Sequence, residues 1–98
     1  MEKSRSLAKK AIKMDPKDNV AVAISTIEKG DIVEVDGTLI TSLDRIPRGH
    51  KIALTDISTG GKIIKYGEVI GIAQADIKAG AHVHVHNVVS ARLPGKTS

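Results

Sequence analysis

Ile32-Val33-Glu34-Val35-Asp36-Gly37-Thr38-Leu39-Ile40-Thr41 decides how the rest of this 98-residue chain is read. Two segments rich in β-branched residues flank Asp-Gly, a dipeptide that accepts positive φ at both central positions of a type I′ turn. The stretch therefore predicts a two-residue β-hairpin. Upstream, Glu28-Lys29-Gly30-Asp31 reads as a turn. Val20-Ala21-Val22-Ala23-Ile24 reads as a strand buried on both faces, because its apolar run does not alternate with polar residues. Asp15 to Asn19 is a polar turn cluster around Pro16, preceded by a short first strand at Ile12 to Met14.

Downstream, Asp44 to His50 contains Pro47 and Gly49 and predicts an irregular loop feeding a strand over Lys51 to Leu54. Thr55-Asp56 offers an N-cap for a helical turn or two before Gly60-Gly61. Short strands are expected around Ile63-Ile64 and Val69 to Ala73, separated by a loop at Lys65-Tyr66-Gly67. Ala79-Gly80 is a further turn, and a last strand runs from His82 to Val89. Ile27-Glu28-Lys29-Gly30-Asp31 and Ile77-Lys78-Ala79-Gly80-Ala81 share the form Ile-x-x-Gly, which reads as turn chemistry and not as a repeat architecture. The spacing of strands and turns describes a mostly β fold, a small barrel or clip with one or two short helical turns.

Composition agrees with strands. Ile and Val number 13 and 9 against 5 Leu, and branched side chains pack well on a pleated surface. A chain of this length predicts one domain. Its expected limits are residues 12–90, with a basic extension at 1–11 and a polar tail at 91–98. With no Cys there is no disulfide, thiolate metal site or Cys nucleophile, and a reducing, cytoplasmic setting is the default. The longest apolar runs are a handful of residues, far below the roughly 20 a membrane helix needs.

The net charge of +4 is local: residues 1–13 carry five basic groups against Glu2, and the other 85 residues balance ten against ten. The body thus has no basic footprint for nucleic acid, and Tyr66, the one aromatic residue, is no stacking platform. Nucleic-acid binding through the tail is the weakest of the functional readings.

His82, His84 and His86 alternate with Val83 and Val85, so on a strand all three imidazoles would share one face. Neighbours would lie about 6.6 Å apart at a rise of 3.3 Å per residue, which lets two reach one ion at about 2.0–2.1 Å each. The outer pair cannot easily share it. The alternative is a half-exposed strand that uses His on its polar side. Without Cys, the ligand set of imidazole and carboxylate suits Zn, Fe(II) or Mn(II). His50, Lys51 and Lys65 sit by loops, where Lys can hold a carboxylate as a point charge and His can exchange protons near neutral pH. Solvated loop charges are the alternative for the lysines. No phosphate loop, nucleophile elbow or paired-carboxylate motif is present.

Asp18-Asn19-Val20-Ala21-Val22-Ala23, Arg48-Gly49-His50-Lys51-Ile52-Ala53-Leu54, Ile64-Lys65-Tyr66-Gly67, Ile70-Gly71 and His82-Val83-His84-Val85-His86-Asn87 follow a family's order and spacing. Over roughly Ile12 to Val89 the chain resembles the SAF domain, a β-clip module, of the altronate and galactarate dehydratases. The family's large catalytic body is absent from this sequence, and the chain resembles members in which the SAF domain is a separate small subunit.

That resemblance implies a hydro-lyase acting on a sugar acid, altronate foremost, with a large dehydratase subunit as partner. Fe(II) or Mn(II), held mainly by that subunit, is the implied cofactor. Within this chain it implies His82, His84 and His86 as metal-contacting groups, and His50 and His86 as catalytic proton carriers. Lys51 and Lys65 would grip the carboxylate, with Tyr66 and Asn87 also binding substrate. The related sulfolactate sulfo-lyase subunit, and a SAF module that binds without sharing in chemistry, remain as other readings. Exposed edge strands leave room for a homo-oligomer.

Overall fold

The computed structural model describes residues 8–84 and 86–90. Among them are nine strands: β1 (Lys9–Ile12), β2 (Val20–Ala23), β3 (Ile32–Val35), β4 (Thr38–Thr41), β5 (Lys51–Ala53), β6 (Lys62–Lys65), β7 (Glu68–Ala73), β8 (His82–Val83) and β9 (Val88–Ser90). They form a curled six-stranded sheet in the order β4-β3-β1-β2-β5-β8 and a three-stranded sheet in the order β6-β7-β9. The fold is mostly β and barrel-like, as the composition implies.

The opening hairpin forms in the expected register, with Val35 opposite Thr38 and positive φ at Asp36 (51°) and Gly37 (81°). Tyr66-Gly67 makes the same two-residue turn between β6 and β7, at φ of 59° and 74°, where the sequence suggested a looser loop. β2 and β5 are buried from both sides. Ala21, Ala23 and Ile52 face one apolar cluster with Ile27, Val33, Val35 and Ile46. Val20 and Ala53 face another with Ile57, Ile63, Ile77 and Val83. Each fully buried Ile or Val contributes about 1.5–3 kcal/mol, so these two clusters hold the sheets together.

Four expectations need correction. The chain is built on a repeat. Ile-x-x-Gly occurs at Ile27, Ile46, Ile57 and Ile77, every one of the four glycines has positive φ, and the isoleucines bridge in pairs, Ile27 with Ile46 and Ile57 with Ile77. Backbone bonds repeat with them. Gly30 N donates to Ser42 O and Gly60 N to Ala73 O, both at 2.8 Å, while Ala23 N donates to His50 O and Ala53 N to Ala81 O at 2.9 and 3.0 Å. The equivalent of Ile27 is therefore Ile57, about thirty residues on, and not Ile77. Side chains between the turns have diverged while the backbone pattern stayed, which is why the repetition is faint in the letters.

No helix occurs among the described residues, so the Thr55-Asp56 cap does not start one. Asp56 Oδ1 instead accepts a bond from Ala79 N at 2.9 Å, across the Ile57–Ile77 bridge. The first strand is Lys9–Ile12 rather than Ile12 to Met14. Asp18 bonds to Met14 N and Asp15 N and turns the chain there, while Lys9 ties β1 to Asp31 at 3.0 Å. Strand structure thus begins inside the stretch read as an extension. The rest of that extension, residues 1–7, and the tail at 91–98 lie outside the described residues.

The strand expected over His82 to Val89 is broken into β8 and β9, in different sheets. Asn87 breaks it: its Oδ1 accepts from His84 N at 3.0 Å, its Nδ2 donates to His82 O at 2.8 Å, and its backbone N donates to His84 O at 3.0 Å. An amide that bonds its own upstream backbone competes with the strand ladder and favours a turn.

Candidate functional site

The turn made by Asn87 gathers the imidazoles at one end of β5 and β8. β8 pairs with β5 through Lys51–Val83 and Ile52–His82. His50, just before β5, therefore meets His84, just after β8, and their rings stack with centroids 4.0 Å apart. His50 Nδ1 lies 2.9 Å from His82 Nε2. One ring nitrogen from each of His50, His82 and His84 lies within 4.8 Å of the others. Backbone bonds fix the group from behind: besides the Asn87 bonds, Asp44 Oδ2 accepts from His82 N at 2.9 Å.

The surroundings disfavour the charged forms of His82 and His84. Burial, then the neighbouring His86, His50 and His84, push the pKa of His82 down to about 4, against an opposing pull from Asp44. Burial, then His50, Lys51 and His86, also lower that of His84. His84 Nδ1 is buried with no hydrogen-bond partner among the described residues. A buried polar atom left unpaired is costly, so such an atom favours any ligand that can pair with it.

His84 also forms part of the wall of a cavity of about 200 Å³, with Lys51, Ile70, Val88 and Ser90. Burial, and then the charge of Lys65, lower the pKa of Lys51. Lys65 Nζ lies 5.1 Å from the ring centroid of Tyr66, which is exposed.

Of the residues singled out in the sequence, the structure thus brings His50, His82, His84 and Lys51 together, with Lys65 near Lys51. His86 is exposed, its ring 5.0 Å from that of His82 and outside the group of three. Asn87 spends its amide on the backbone of the cluster, and Tyr66 is not part of the cavity wall. Asp44 was missed as a support, since no spacing rule links it to His82. The closeness of His50 to the His82-His84 pair could not be read from the sequence without the β5–β8 register.

The profile of the altronate/galactarate dehydratase SAF domain matches residues 9–91. This chain belongs to that family. It is 53% identical to the altronate dehydratase of Escherichia coli (strain K12) over 76 residues, which is 78% of this chain and 15% of that protein. To the altronate dehydratase of Bacillus subtilis (strain 168) it is 47% identical over 79 residues, or 81% of this chain and 16% of that protein. The (2R)-sulfolactate sulfo-lyase subunit alpha of Chromohalobacter salexigens is 38% identical over 77 residues, 72% of this chain and 82% of that subunit. The SAF chain thus spans about one sixth of the two altronate dehydratases but most of the sulfo-lyase subunit.

Proposed function

We propose that this SAF chain is the small subunit of a sugar-acid hydro-lyase that converts altronate to 2-keto-3-deoxygluconate and water, working with a separate large catalytic subunit in hexuronate breakdown in the cytoplasm. The observation that carries this reading is the Lys51–His84 cavity beside the imidazole cluster, in a chain 53% identical to part of an altronate dehydratase. The coverage of a free-standing sulfo-lyase subunit supports a separate small chain.

In such a reaction a proton leaves the carbon next to the carboxylate and hydroxide leaves the adjacent carbon. The resulting enol tautomerises to the 2-keto acid, so substrate atoms are conserved in product and water. Negative charge builds on the carboxylate oxygens as the proton leaves, and fixed cations there lower the barrier. Lys51 and Lys65 bind that carboxylate. His86, exposed and next to His82, carries the proton to or from bulk water. Tyr66 turns its phenol to the sugar hydroxyls, and Asn87 acts through the backbone it holds. Fe(II) or Mn(II), held mainly by the large subunit, supplies further positive charge to the carboxylate when bound.

The test is reconstitution. The two subunits are purified apart and mixed, and formation of the 2-keto-3-deoxy acid from altronate is followed. Activity is expected only in the mixture. Altronate turnover by this chain alone overturns the division of labour. A complex that releases sulfite from sulfolactate and ignores altronate replaces the substrate, the reading favoured by the 82% coverage of the sulfo-lyase subunit. Unchanged turnover in an assembled complex carrying His86→Ala and Lys51→Met leaves this chain as a binding module.

A further inference from the structure

Four histidines crowd the end of β5 and β8, and three of them place ring nitrogens within reach of a common ion. We propose that His50, His82 and His84 form a divalent transition-metal site belonging to this chain itself, distinct from any ion of the large subunit, with His86 outside it. An ion 2.0–2.1 Å from each nitrogen sets tetrahedral ligands about 3.4 Å apart. That spacing falls between the 2.9 Å separation of His50 Nδ1 and His82 Nε2 and the 4.8 Å outer limit of the group. Small ring rotations are enough to close the site.

Two further features point the same way. The orphaned Nδ1 of His84 gains a use through ring reorientation, as ligand or as donor to one. The backbone behind the rings is held by Asp44 and Asn87, and such support keeps ligands in place more firmly than a flexible loop does. Three imidazole ligands with no carboxylate among them select Zn(II), Fe(II), Co(II) or Ni(II) over Mg(II) or Ca(II). Lys51 opposes a bare cation nearby, so the loaded site takes an anion, such as a carboxylate, in its open position.

The experiment titrates Zn(II) into the untagged chain by calorimetry, with Co(II) as an optical probe, in the absence of large subunit and substrate. One ion per chain and a tetrahedral Co(II) spectrum are expected. His50→Ala and His84→Ala each weaken binding at least about tenfold, since losing even an outer-shell partner costs that much. His86→Ala leaves it unchanged. Should a variant fold poorly, ring-nitrogen NMR of the unaltered chain decides: Zn(II) shifts the signals of His50, His82 and His84 and spares those of His86. Absence of saturable binding, or His86 shifting while His50 does not, overturns the site. Failure here leaves the dehydratase reading standing, and failure of reconstitution leaves the metal site standing, because neither assay uses the other's reagents.

Discussion

Val20 faces Ala53 across β2 and β5, both almost wholly buried. One repeat further on, the register that pairs Lys51 with Val83 and Ile52 with His82 puts His50 opposite His84. The two halves of the molecule share turns, bridges and backbone bonds. At this pair of positions they differ, an apolar contact in the first half and two stacked imidazoles in the second. The difference lies at the imidazole cluster. Rigid framework that serves as core in one half serves as a seat for polar groups in the other, and a site on such framework is held more precisely than one on a loop.

The hardest test of that equivalence lies in the bridging isoleucines. Ile46 and Ile77 occupy matching places, with 0% and 3% of their surface exposed. Truncation to Ala should cost about 3 kcal/mol in either half, a large share of the roughly 5–15 kcal/mol available to a small domain. Urea unfolding followed by circular dichroism measures it. Both variants should shift one common transition, because β2 and β5 belong to both cores. Two separate transitions, with Ile77→Ala moving only one, would show that the halves are independent units.

The hairpin turns mark the next difference. Asp36 adopts left-handed backbone readily, whereas Tyr66 is a bulky residue at φ 59°. Asp18 supports the second turn, accepting from Tyr66 N at 3.0 Å and Gly67 N at 2.8 Å as well as from Met14 N and Asp15 N. Burial alone would raise its pKa, but those four N–H groups together hold it below the ordinary value of 3.8. Asp18→Ala leaves several donors unpaired and should cost about 2 kcal/mol.

The folded chain binds the Asp18 proton less readily than the unfolded chain does. Its stabilisation is therefore fully present above about pH 4 and is lost as pH falls through the lower folded value. Unfolding profiles of the wild type and Asp18→Ala should converge in that acid window. A constant gap between them down to low pH would remove the carboxylate from the account. Tyr66→Asn, which relieves the strain and gives up the Lys65 contact, should gain about 0.5 kcal/mol. A loss on that substitution would mean that the Lys65 contact outweighs the backbone.

Much of the scaffold was legible because local chemistry fixes it. Asp36-Gly37 admits a type I′ turn, and the unbroken run from Val20 marks a strand covered on both faces. Long-range register was not legible. His50 and His84 are brought together by β5–β8 pairing, and no local spacing announces it. The reading of His82, His84 and His86 on one strand face failed for a local reason instead. Asn87 hydrogen-bonds the backbone of His82 and His84, so alternation ends at Val83 and His86 turns outward. Two of the four Ile-x-x-Gly turns stand out in the sequence, but they read as turn chemistry alone because the strands between the four have changed residue by residue.

The smallest expected effect on stability is also the most informative. His50→Val with His84→Ala gives the second half the apolar pair of the first. Stacking between the rings and the His50–His82 contact are lost, worth about 0.5–1.5 kcal/mol. Against that, the desolvation of the rings and the unpaired His84 Nδ1 disappear. The two effects oppose each other at similar size, so the net change should stay under about 0.5 kcal/mol, while Zn(II) binding vanishes. A site that costs the fold little to remove is one kept for its chemistry. If the double variant instead lost as much stability as Ile46→Ala, the imidazoles would be core residues of the second half, and the contrast between the halves would be one of packing alone.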